Sequence, residues 1–156
     1  MKEIIEKSLS KAMSYDDYRG LVDKLIKEGK STGENQSEDL LNYSVLNDKR
    51  MKRLDKTLHL SSDSIENVKK VTEKQTWLVL TEGWCGDAAH NLPMINKIAK
   101  ENSNIDLQLV LRDENLELMD SFLTNGGRSI PKLIVLDDEK NVIGTWGPVL
   151  VKLLQW

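Results

Sequence analysis

A series of short apolar stretches past the chain's midpoint constrains the fold more than any other feature. "TWLVLT" at 76–81 and "IDLQLVLRD" at 105–113 have strand length, and "KLIVLDDEKNVIGTW" at 132–146 reads as a hairpin in which "DDEKN" turns and "VIGTW" returns. Helical patterns separate these strands over about 86–101 and about 114–124, the second closed by Asn125-Gly126-Gly127. The order is therefore β-α-β-α-β-β. Strand, crossover helix and strand imply a parallel pair, and the hairpin adds an antiparallel one, which predicts an α/β fold with a mixed sheet and helices on both faces.

The first half reads differently. Tyr18, Leu21, Val22, Leu25 and Ile26 recur at helical spacing with Gly29 as a stop, and Ile4, Ile5, Leu9 and Met13 suggest a shorter helix before them. "KSTGENQ" at 30–36 is a polar loop. Ser37 can cap a third helix whose stripe runs through Leu40, Tyr43, Met51, Leu54 and Leu58, with the cationic "DKRMKR" turned to water. With 156 residues and 39 % apolar content the chain has room for a single core, so residues 1–156 are read as one domain. Within it, residues 1–70 form a helical extension and 71–156 the α/β core. Only "VLVKLLQW" follows Pro148, so a closing helix there is at most about two turns.

Net charge is −3 with a pI near 5.5, and nothing basic argues for nucleic acid or an anionic membrane. The longest wholly apolar runs, "WLVL" and "LIVL", are too short to span a bilayer, and the first residues lack an apolar run of signal-peptide length. One cysteine cannot form an internal disulfide, which fits a reducing, cytoplasmic compartment.

That cysteine, Cys85, lies in "TEGWCGDAAH", where an apolar strand ends and a helix begins. Backbone N–H groups and the helix dipole there favour an anion, and such positions lower cysteine pKa from about 8.5 into the range of roughly 3.5 to 7.5. Asp87 opposes this if its carboxylate lies close. Pro93 falls inside the helix that follows, where a kink near 89–93 is expected, and Ile130-Pro131 stands immediately before "KLIVL", where the bond can be cis.

Taken together, Trp84-Cys85-Gly86 after an apolar strand, Pro93, Ile130-Pro131 before the hairpin and Gly144 to Gly147 within it resemble the thioredoxin-like family over about residues 70–148. The WCGD form with its helical lead-in looks most like a bacterial branch of that family. By this resemblance Cys85 takes the place of the nucleophile and Pro131 that of the cis-proline that packs against it and lets Ile130 pair with a bound peptide. Trp84, Gly86, Asp87 and Ala88 line the site, with N–H groups of 86–88 stabilising a thiolate. Two departures matter: Ala88 stands where dithiol enzymes carry the resolving cysteine, and Val79 where many thioredoxins carry a buried acid.

Without a second sulfur, Cys85 can attack a disulfide, but an external thiol has to release the product. The expectation is a monothiol redox protein whose partners are disulfide- or thiol-bearing proteins or small thiols. The alternative is an inert thiol in a fold reused to bind an extended segment between Trp84 and Ile130-Pro131. Nothing in the pattern requires a cofactor. Two histidines, His59 and His90, and one cysteine without ligand spacing predict no metal site. Glu82 and Asp87 read as surface carboxylates that could shuttle protons, Asp113-Glu114 as a helix start, and Trp84 and Trp146 as a platform or core. A dimer through the extension is neither established nor excluded by any residue pattern.

Overall fold

The computed structural model describes residues 1–147. Its elements are α1 (Lys2–Leu9), α2 (Tyr15–Lys27), α3 (Glu38–Thr57), α4 (Ser62–Lys69), β1 (Gln75–Thr81), α5 (Gly86–Lys100), β2 (Ile105–Leu111), α6 (Leu116–Asp120), β3 (Lys132–Leu136) and β4 (Val142–Trp146). The four strands form one sheet in the order β2-β1-β3-β4. β1 runs parallel to β2, with Val79 opposite Leu109, and antiparallel to β3, with Val79 opposite Leu133; β4 pairs antiparallel with β3. The fold is α/β with a mixed sheet, and the expected closing helix after Pro148 lies outside the described residues.

Alternation along β1 sorts the core into two layers, because successive side chains point to opposite faces of a sheet. Val79, Leu109 and Leu133 pack with Tyr18 and Val22 of α2, Met51 of α3 and Leu92 of α5. Leu78, Leu80, Val110 and Ile134 pack with Ile5 of α1 and with Leu118 and Met119 of α6. Both faces are covered. The N-terminal helices are therefore shared between the two faces of the sheet. Met13 between them also pairs with the free edge of β2, its N–H donating to the Leu109 carbonyl at 2.9 Å and its carbonyl accepting from Leu109 at 2.8 Å.

Local rules set most helix ends. The Ser14 and Ser37 hydroxyls accept from the N–H groups of Asp17 and Leu40. The helix α4, absent from the sequence reading, is capped by Ser61 in the same way. Two expectations are corrected. Tyr43 is 54 % exposed, and the buried side of α3 consists of Ser44, Asn47, Asp48 and Met51. A polar interface decides this, since Arg19 of α2 reaches Asp48 at 3.2 Å and Asp55 at 2.5 Å. Further along, Asp113-Glu114 does not open α6 but forms a separate short 3-10 helix with Arg112, Arg112–Glu114, and α6 begins only at Leu116. Asn115 ends that turn at φ −136° while its buried side chain donates to the Leu111 carbonyl.

Candidate functional site

Cys85 occupies the N-cap of α5 and is half-buried between the two core layers. Its Sγ donates to the Ile130 carbonyl at 3.6 Å, and the Ile130–Pro131 bond is cis. Ile130 and Pro131 are themselves buried and lead into β3, whose first residue, Lys132, pairs with Leu80 near the end of β1, so the Ile130 carbonyl is held against the sulfur at the same end of the sheet. Trp84 is half-buried, with the Arg112 guanidinium 5.0 Å above its ring, a distance at which cation and ring attract. Asp87 and His90 are exposed, Gly86 has open space around it, and Ala88 is only 1 % exposed. The structure thus gathers Trp84, Cys85, Ile130 and Pro131, and turns the position of the missing second sulfur into the core.

Burial pushes Cys85 above its ordinary value; the N–H groups of Ala88 and Asp87 and the Arg112 guanidinium pull it back, but the Asp87 carboxylate adds to the rise. The sequence leaves the helix start and the Asp87 charge opposed without a winner, and burial here adds to the side of Asp87. Desolvation of a thiolate between two apolar layers outweighs a few backbone dipoles.

Glu82 is also corrected. It is fully buried, at 0 % exposure, rather than a surface carboxylate. Its Oε1 accepts from the Thr32 hydroxyl at 2.7 Å and its Oε2 from the Asp113 N–H at 3.1 Å. The same Thr32 oxygen accepts from the Gly83 N–H at 2.9 Å, and Asn47 of α3 donates to the Gly83 carbonyl at 3.2 Å. Gln36 braces the strap from which Thr32 reaches over, bonding to both backbone groups of Ser31 and to the Gly33 carbonyl. Burial pushes the Glu82 carboxyl up, and the neighbouring Asp113 adds to this; the bonds from Thr32 and Asp113 and the charge of Arg112 oppose it. Sequence reasoning missed Thr32 and Asn47 and placed Glu82 at the surface. One signal was present: Glu82 stands at the C-terminal end of a parallel strand, where α/β sheets place their sites.

The thioredoxin family model matches residues 33–154, which include β1, the Cys85 turn, Pro131 and the hairpin. The chain belongs to the thioredoxin family. Among solved structures, this thioredoxin-family chain is similar in fold to an HIV epitope-scaffold, with a TM-score of 0.59, 20 % identity, and coverage of 92 % of this chain and 82 % of that one. It is also similar to a protein of unknown function from Pseudomonas aeruginosa, with a TM-score of 0.54, 21 % identity, and coverage of 86 % and 76 %. No curated protein matches the sequence. In this family member the strand position of Val79 is apolar and wholly buried, and the buried carboxyl near the thiol belongs to Glu82. Among the described residues no group of acidic, histidine or cysteine side chains is placed to hold a metal ion, and no helix is long and apolar enough to cross a membrane.

Proposed function

We propose that the protein is a monothiol member of its family that forms mixed disulfides through Cys85, working with disulfide- or thiol-bearing proteins or small thiols in a reducing, cytoplasmic setting. The observation that carries this is the placement of the Sγ at a helix start, opposite the Ile130 carbonyl, with the side chain half-exposed. Cys85 gives its proton to solvent, and the thiolate attacks one sulfur of a disulfide. A new S–S bond forms, the old one breaks, and the leaving thiolate takes up a proton. An external thiolate then attacks the Cys85 sulfur of the mixed disulfide and releases the substrate sulfur as thiolate; a second external thiolate attacks the external sulfur now bound to Cys85, forms the external disulfide and returns Cys85 as thiolate, so the substrate is reduced by two electrons and the two external thiols are oxidised by two. Nucleic acid and membrane surfaces have no place in this reading.

One observation favours a second reading. The thiol is pushed up and donates a hydrogen bond to the Ile130 carbonyl, which suits a binding module that holds an extended segment between Trp84 and Pro131 without covalent chemistry. An aromatic disulfide that releases a coloured thiolate separates the two. Mixed-disulfide chemistry releases one equivalent per chain and none from Cys85→Ser, with mass spectrometry locating the adduct on Cys85. Release of less than a tenth of an equivalent from folded protein at pH 9, together with equal partner capture by both proteins, supports the binding module.

A further inference from the structure

Among the described residues Glu82 is the carboxylate at 0 % exposure, three positions before Cys85, and nothing in the mixed-disulfide chemistry uses it. Each of its oxygens accepts a bond from a different part of the chain, Thr32 in the loop before α3 and Asp113 after β2. Its own backbone carbonyl accepts the Cys85 N–H at 3.2 Å, so the residue that gathers these segments also forms the turn that carries the sulfur. Gly33 closes the arrangement. A Cβ there would stand 2.9 Å from Asp113 Oδ2 and 3.3 Å from Glu82 Oε1, which places the two carboxylates no more than about 6 Å apart.

We infer that Glu82 is a positioning residue that locks the 31–36 strap onto the Cys85 turn, so that the N-terminal part of the chain governs how the thiol is presented. The ionised form accepts both bonds. When the carboxyl takes a proton, one accepted bond is lost or becomes a donated one, and the turn shifts relative to the strap. The charged and titratable groups facing Glu82 are Asp113 and Arg112 from the turn after β2, and Tyr18 from α2, whose hydroxyl is itself pushed up by burial. Asp87 and Arg112 face the sulfur. The inference deepens the mixed-disulfide reading and rests on it for its effect on turnover, while alkylation of the sole thiol tests it separately.

The experiment is the pH profile of Cys85 alkylation by iodoacetamide in the full chain, with circular dichroism to confirm folding. In the wild type, the rate divided by the thiolate fraction shows a second inflection on the acid side of the thiol midpoint. Glu82→Gln keeps the shape and the bond from Asp113 but cannot titrate, so that inflection disappears. Thr32→Val removes both bonds of the hydroxyl and raises the alkylation rate roughly tenfold, as loss of bonds to a buried charge loosens the turn, whereas Thr32→Ser behaves as wild type. Superimposable wild-type and Glu82→Gln profiles overturn the inference. If Glu82→Gln does not fold, equal rates for Thr32→Val and Thr32→Ser overturn it, and the contrast between them sustains it. A profile that depends on Glu82 in a protein that forms no mixed disulfide leaves the positioning intact and removes the redox reading.

Discussion

Replacing Gly33 with alanine tests how tightly the strap meets the carboxylates, because two other glycines provide matched controls. Gly33, Gly29 and Gly126 have φ of +88°, +74° and +78°, a region that costs a residue with a Cβ about 1 kcal/mol or more. At Gly29 and Gly126 nothing lies within 4 Å of the added carbon, so backbone strain is the only cost there. At Gly33 the same carbon would meet Asp113 Oδ2 at 2.9 Å and Glu82 Oε1 at 3.3 Å. One carboxylate then has to move. Displacing either oxygen of Glu82 from its donors forfeits a hydrogen bond to a charged group, about 1.5–3 kcal/mol, although the half-buried Asp113 can yield part of the way. Gly33→Ala is therefore expected to cost about 3 kcal/mol, and Gly29→Ala and Gly126→Ala about 1 kcal/mol each. Urea unfolding followed by tryptophan fluorescence reads the difference directly, provided the slope with urea is common to all four proteins. A Gly33→Ala cost within about 0.5 kcal/mol of Gly29→Ala would refute the reasoning, because the close approach would then carry no energy.

Other outcomes follow from the same contacts. The midpoint for Cys85 alkylation lies above the ordinary thiol value of about 8.5; Asp87→Asn lowers it by removing a like charge, and Arg112→Leu raises it, whereas a wild-type midpoint below 8 would contradict the burial argument. Since the folded Glu82 carboxyl is raised, its contribution to stability is fully present below the ordinary glutamate value of 4.5 and is lost as pH rises through the folded value. Urea unfolding of Glu82→Gln across pH 4 to 8 should lack that part of the slope, and a slope unchanged from wild type would show that Glu82 does not titrate there. Arg19→Met leaves the buried Asp48 with Lys52 alone, at 3.0 Å, and the exposed Asp55 with the Tyr15 hydroxyl, and is expected to cost about 2 kcal/mol for the lost bonds to charged groups, with a loss below 1 kcal/mol counting against the polar α2–α3 interface. Leu92→Ala, at 0 % exposure in the layer between α5 and the sheet, is expected to cost about 2–5 kcal/mol in the same assay.

Local chemistry made the second half of the chain legible. The apolar runs at 76–81, 105–111 and 132–136 became β1, β2 and β3, "DDEKN" became the turn, and Ser37 capped α3, because strand length, turn residues and caps are properties of neighbours in sequence. Cys85 at a helix start and Ile130-Pro131 before a strand were visible for the same reason, and tertiary packing then brought them to 3.6 Å. What the sequence did not disclose depends on burial and on distant partners. Tyr43 belonged to an apolar stripe yet faces solvent, because Arg19, Asp48 and Asn47 make the α3 interface polar. Glu82 looked like any loop carboxylate until Thr32, fifty positions earlier, and Asp113, thirty-one later, closed over it. The thiol's rise has the same origin: the helix start that favours a thiolate is encoded locally, but the two apolar layers that desolvate it exist only once the sheet has formed, and desolvation is the larger effect.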